Sequence, residues 1–310
     1  MTTQEKEIRA TGMHILVTGI TGFVGAYLAR RLAAEHRLYA IVRQLPSVTM
    51  VGVSYLAVDL ATAGALEAAI TEGKLPSRID AVISLATSRR YREFPNAAPD
   101  LFQVNVAAAA VLLDYARRVG ARQFILGSTG SVYEPFGAAP LSEDQAVVPT
   151  SFFAATKAAV ENLMRCYQSF FAPLSLRLFY PYGPGQTDRL IPNLIEAVRT
   201  GRPIRLPPEG EGIALTPTFI DDVIDVFATA IAGRWEGTFN VAAPELYSLQ
   251  QLANKLAALV GRPAQFTRDP LTSGPVIRPD LAKLATRIDF DRFVDVDTGF
   301  RRLIEVTEPV

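Results

Sequence analysis

The chain has 310 residues, 31 of them basic and 31 acidic, so its formal net charge is zero. That balance excludes a nucleic-acid binder whose affinity rests on overall positive charge; 49% hydrophobic and 20% charged residues describe a globular chain with a large core. One cysteine, Cys166, and two histidines, His14 and His36, exclude an intrachain disulfide and a cysteine zinc site and leave little material for any metal.

Residues 1–12 form a polar tail with Glu5, Lys6, Glu7 and Arg9; without an apolar stretch it does not read as a secretory signal. The longest unbroken apolar run, Val106 to Leu113, falls far short of the roughly 18 residues of a membrane helix. A soluble, cytoplasmic protein with no membrane partner is expected. His14 to Val17 is a short β-branched run closed by Thr18-Gly19, a buried strand. Phe23, Val24, Tyr27, Leu28 and Leu32 then follow helical spacing over residues 23–34. Leu38 to Val42, Val53 to Val58, Ala81 to Leu85, Phe124 to Leu126 and Leu174 to Phe179 are further strands; residues 100–118 and 154–171 are helices. Cys166 is expected in the core on the second of these. After Tyr180 the texture turns proline-rich, with helices near 221–232 and 248–260 flanking a strand at Thr238 to Val241. Strands alternating with helices predict an α/β doubly wound parallel sheet of Rossmann type. Residues 13–179, joined by 218–241, form this sheet domain, and 180–217 with 242–310 form a smaller C-terminal substrate-binding lobe.

Gly19, Gly22 and Gly25 are spaced G-x-x-G-x-x-G between the first strand and its helix. Glycine serves there for a tight turn, for close approach of a pyrophosphate and for packing helix on strand; the helix start supplies unpaired N–H groups for phosphates. The spacing and its place in the fold point to a dinucleotide site made by Gly19, Thr21, Gly22, Phe23, Val24 and Gly25. At the end of the second strand, where an acidic residue commonly binds ribose hydroxyls, stands Arg43. A guanidinium suits a 2′-phosphate, which tilts the cofactor, NAD(P), toward NADP; alternatively Arg43 stacks on the adenine or faces solvent. Asp59-Leu60 closes the third strand, either against the adenine or as a helix N-cap.

The glycine turn, Val82-Ile83-Ser84-Leu85-Ala86-Thr87, Gly127-Ser128-Thr129-Gly130-Ser131-Val132-Tyr133, Pro149-Thr150-Ser151-Phe152-Phe153-Ala154-Ala155-Thr156-Lys157, Arg177-Leu178-Phe179 with Tyr182-Gly183-Pro184-Gly185-Gln186, and Ile220-Asp221-Asp222-Val223 occur in this order. In these motifs the chain resembles the extended short-chain dehydrogenase/reductase family, specifically its NAD-dependent nucleotide-sugar epimerase, dehydratase and reductase members. The resemblance implies that Thr129 bonds the reacting sugar oxygen and that Lys157 binds the nicotinamide ribose and lowers the pKa of a tyrosine four residues earlier. It also implies that Leu85, Ala86, Thr87 and Tyr180 touch cofactor. Ser131, Tyr182, Leu190, Ile191 and Asn193 are implied to face substrate.

At the tyrosine position this sequence has Phe153. A phenyl ring holds no proton, so the usual acid/base is missing. Either Phe153 is an engineered Tyr→Phe change, or another donor works there (Thr129 with a relayed proton, Tyr91, Tyr133 or Tyr180), or the protein is a non-catalytic NAD(P)-binding relic or sensor. The dehydratases' acidic pair is replaced by Gly130-Ser131, and no Cys/His pair suits epimerisation at C3 or C5. Hydride transfer at a ring carbon, C4 by the resemblance, survives: Tyr182-Gly183-Pro184-Gly185-Gln186 with Leu190 to Asn193 favours a 4-epimerase, Arg43 a 4-ketoreductase. The arginine that relatives place before the Asp-Asp pair is absent, leaving Arg268 or Arg278 for a diphosphate or for solvent. Arg177 is expected to brace the fold, Trp235 to pack, and Asp221 and Asp222 to start a helix. Relatives commonly form homodimers through the helices at 100–118 and 154–171.

Overall fold

The computed structural model describes residues 12–137 and 139–307; of the polar tail, residues 1–11 lie outside them. The strands form where β-branched and aliphatic runs were read: β1 (His14–Thr18), β2 (Arg37–Val42), β3 (Val53–Ala57), β4 (Ala81–Ser84), β5 (Gln123–Thr129), β6 (Ala172–Leu178) and β7 (Gly237–Val241). They make one seven-stranded parallel sheet in the order β7-β6-β5-β4-β1-β2-β3. Strand order reverses between β1 and β4, whose registers pair Leu16 with Val82 and Thr18 with Ser84. In such sheets ligands bind beyond the carboxyl ends of the strands at this reversal.

The helices of this region are α1 (Phe23–Leu32), α2 (Ala65–Thr71), α3 (Ala98–Phe102), α4 (Ala108–Arg118) and α5 (Phe152–Arg165). One large apolar cluster joins Leu16, Val82 and Phe124 of the sheet to Leu66 of α2, Leu112 of α4 and Val160 of α5. The expected helix 100–118 is broken: Gln103–Ala107 is a π-helical turn between α3 and α4. The cause is Asn105, a buried amide whose two ends are bonded sideways out of the helix. The helix expected over 154–171 stops at Arg165, and Cys166 is exposed, not in the core. The buried stripe of α5 runs Lys157, Val160, Glu161, Met164, and at 3.6 residues per turn position 166 falls off it.

The chain divides into two compact units, Met1–Glu134 with Ala146–Arg177 and Ile224–Phe239, and Pro135–Gln145 with Leu178–Val223 and Asn240–Val310. In the first, Gln123 Nε2 donates to the carbonyls of Ala230 (3.2 Å) and Trp235 (2.9 Å), tying β5 to the returning segment; Trp235 packs on Phe239. The second unit holds α6 (Leu190–Thr200), the start of α7 (Ile220–Ala232), α8 (Leu249–Val260) and α9 (Val296–Thr307). A capping box of Ser248 and Gln251 starts α8. Tyr182 packs edge-on against Phe219 and Phe300. Among the described residues no helix is long and apolar enough to cross a membrane.

Candidate active site

Chemistry at the carboxyl edge begins with the turn after β1. Gly19 has φ +74, and a Cβ there would stand 2.6 Å from the Leu85 carbonyl carbon and 2.7 Å from the Ala86 nitrogen; only glycine fits. Thr18 binds the same loop, its carbonyl accepting from Leu85 N–H (3.2 Å) and its Oγ1 from Ala86 N–H (3.3 Å). Gly25 sits against the Gly19 carbonyl and Ile20, leaving no room for a side chain, so α1 starts tightly behind the turn. Its N-cap, Gly22, offers no side-chain cap, and no acid lies in the first turn. Thr21 and Gly22 are exposed, and Phe23 and Val24 half-buried. A turn that is glycine at its tightest points, followed by N–H groups with no side-chain cap at a helix start, fits a dinucleotide pyrophosphate.

Leu85, Ala86 and Thr87 are half-buried beside this turn, and Arg43 is exposed just past β2. Asp59 accepts from Ala61 N–H at 3.0 Å, ordering its own turn, while Leu60 packs on the apolar cluster.

Thr129 ends β5 and caps the short 3₁₀ turn Gly130–Tyr133, its Oγ1 accepting from Ser131 N–H at 3.2 Å. Phe153 and Lys157 lie one turn apart on α5 and share a face. The Lys157 ammonium is buried and donates to the Gly127 carbonyl at 3.0 Å. Burial lowers its pKa to about 8, against an opposing pull from Glu161. Phe153 is half-buried, and the ring of Tyr91 meets it with centroids 5.3 Å apart.

Residues that sequence reasoning does not assign to the site support it. Glu161 accepts from Ser128 Oγ (2.6 Å) and from both arms of Arg177; Arg177 also donates to Tyr133 Oη (2.6 Å), so that phenol is engaged. Ser88 N–H donates to Asn105 Oδ1 (3.0 Å), and Asn105 Nδ2 donates to Thr156 Oγ1 (2.9 Å) on α5. The available signal was a lone polar residue inside an apolar run, as with Asn105 between Val104 and Val106.

Of the residues expected to face substrate from the second unit, Tyr182, Ile191 and Arg268 pack or bond inside it. Tyr182 is buried, and Ile191 packs in that unit's core; Leu190 is half-buried, while Asn193 and Arg278 are exposed. Arg268 donates to the carbonyls of Pro207 and Gly210. Tyr180 adopts φ +42. Asp222, expected as a helix-start residue, also accepts from Val294 N–H at 3.1 Å.

Known proteins share this architecture. The chain is 27% identical to a probable UDP-glucuronate 4-epimerase of Rhizobium meliloti, with 94% of this chain and 96% of that protein covered. It is 27% identical to a UDP-glucose 4-epimerase of Mycolicibacterium smegmatis, with 89% and 91% covered. The crystal structure of Thermus thermophilus UDP-glucose 4-epimerase in complex with NAD superposes with a TM-score of 0.78 at 24% identity, covering 95% of this chain and 98% of that one. The model of the NAD dependent epimerase/dehydratase family matches residues 15–242, from β1 through β7, and the chain belongs to that family.

Proposed function

We propose that the protein is an NAD-dependent enzyme that inverts the C4 carbinol of a nucleotide-linked sugar, a UDP-sugar in the first instance. The observation that carries this reading is Thr129 and Lys157 converging on the carboxyl end of β5 in the unit that holds the glycine turn. The names of the two curated relatives, both 4-epimerases, support it. A bound dinucleotide would supply the hydride acceptor and donor for the carbinol carbon. The glycine turn and the first amides of α1 would hold its pyrophosphate and Asp59 and Leu60 its adenine end; for Leu85, Ala86, Thr87, Lys157 and Tyr180 the assignment to cofactor rests on the family resemblance. Thr129 bonds the sugar hydroxyl beside Ser131. For Tyr182, Leu190, Ile191, Asn193, Arg268 and Arg278 the assignment to substrate rests on the family resemblance.

Phe153 deprives this chain of the usual phenol, and loss of a general acid/base costs on the order of 10²–10⁴ in rate. The test compares the chain with Phe153→Tyr, using NAD and UDP-glucose or UDP-glucuronate. Turnover raised by orders of magnitude supports the 4-epimerase. Dinucleotide binding without turnover in either form would establish the non-catalytic sensor instead. A 4-ketoreductase using NADPH is the second reading, favoured by exposed Arg43; equal affinity for NAD and NADP removes it. Exposed Phe102 and Leu163, on α3 and α5, support a homodimer through these helices, measurable by sedimentation. A free, exposed Cys166 suits the reducing cytoplasm.

A further inference from the structure

We infer that Tyr91 supplies the phenol that position 153 lacks, its hydroxyl carrying the proton to and from the sugar oxygen. The inference rests on the function proposed above and deepens it. Tyr91 lies in the loop after β4, beyond Leu85-Ala86-Thr87, and its half-buried ring is tilted 51° against that of Phe153. The loop is registered on α5 by a chain of bonds. Ser88 N–H donates to Asn105, Asn105 donates to Thr156 Oγ1, and Thr156 Oγ1 donates to the carbonyl of Phe153 itself (2.7 Å). Ser88 in turn organises the segment bearing Tyr91: its Oγ accepts from Arg90 N–H (3.0 Å) and its carbonyl from Tyr91 N–H (3.3 Å). Arg92 covers the ring at 5.4 Å. The ring of Tyr91 is therefore held against that of Phe153, which itself lies one helical turn before Lys157.

The other two phenols raised by the sequence are placed differently. Tyr133 is buried and accepts from Arg177, and Tyr180 belongs to the second unit. In the step assigned to Tyr91, the sugar O–H bond breaks and its proton passes to the Tyr91 phenolate oxygen. The C=O bond forms as the carbon's hydrogen leaves with its electron pair, as the hydride that NAD accepts. On return the Tyr91 hydroxyl gives the proton back to the oxygen, and no other reactant is needed.

The test uses full-length protein with NAD and with UDP-glucose or UDP-glucuronate, in four forms: the chain, Tyr91→Phe, Phe153→Tyr, and both changes together. Tyr91→Phe is expected to lower residual kcat by on the order of 10²-fold while calorimetric sugar affinity is retained; in the Phe153→Tyr background the same change has little effect. Equal turnover of the chain and Tyr91→Phe overturns the inference, as does an inert chain beside an active Phe153→Tyr; both leave the proposed function standing. No turnover in any form overturns the function and this inference together.

Discussion

Arg177 of β6 grips Glu161 of α5 with two parallel bonds, Nη2 to Oε2 at 2.6 Å and Nε to Oε1 at 3.1 Å, and both side chains are almost wholly removed from solvent. Ser128 and Tyr133 complete the cluster, so one ion pair fastens α5 to the strand that ends in Thr129 and to the turn that follows it. Burial works against the Arg177 charge, but the hydrogen bonds and charge of Glu161 outweigh it and hold the guanidinium above its ordinary pKa. Bidentate geometry with every arm satisfied is the condition under which a buried pair is tolerated.

Arg177→Met leaves the Glu161 carboxylate buried with its main partner gone. The expected loss is about 3–5 kcal/mol of folding stability, read from the denaturant midpoint. The double change Arg177→Met with Glu161→Leu is expected to recover a large part of that loss. A single variant as stable as the parent would show that the pair contributes nothing.

The sheet and the glycine turn were legible because their signals are local. A β-branched run such as His14 to Val17, cut off by Thr18-Gly19, has few alternatives to a buried strand, and three glycines at that spacing are costly unless the backbone needs them. The Arg177 brace was legible too, as a cation in an otherwise apolar strand. The π turn was not. Its backbone shift is forced by what Asn105 bonds to, Ser88 and Thr156, residues 17 and 51 positions away in the chain. Cys166 is misplaced when its apolar character alone is read as burial, since the stripe Lys157, Val160, Glu161, Met164 leaves position 166 off the buried face. The contact between Tyr91 and Phe153 is likewise a product of the fold, since nothing near residue 91 announces it.

Asn105→Ala strips the Ser88 N–H of its buried partner. The cost is expected at about 1–3 kcal/mol, with faster hydrogen exchange at the Ser88 amide than in the parent. Asn105→Asp, which keeps the acceptor for Ser88 and loses the donor to Thr156, separates the two halves of the link. Unchanged exchange at Ser88 in Asn105→Ala would show that the loop holds its place without it.

Gly25→Ala puts a methyl group into the Gly19 carbonyl and Ile20, and backbone on both sides leaves little to yield. The turn has to open or α1 to back away, so NAD affinity is expected to fall by more than about tenfold and the melting temperature to drop by several degrees. Gly64→Ala tests the other extreme: its Cβ meets no atom but its φ is +77, so backbone strain alone is expected, with NAD affinity unchanged.

Lys157 gives the protein a pH signature in the absence of cofactor. Burial lowers its folded pKa to about 8 from the ordinary 10.5 of a lysine. Between those values the unfolded chain binds more protons than the folded one, so this residue's contribution makes stability rise with pH across that window, by up to about 1.4 kcal/mol per pH unit. Below about 8 both states carry the proton and the contribution is flat. Lys157→Met removes the ionisation and with it the slope. The difference in unfolding free energy between parent and variant, measured in urea at steps from pH 7.5 to 10, is therefore expected to shift in favour of the parent as pH rises. A difference that stays constant across the window would mean that the Lys157 ammonium is as well solvated in the folded protein as in the unfolded chain.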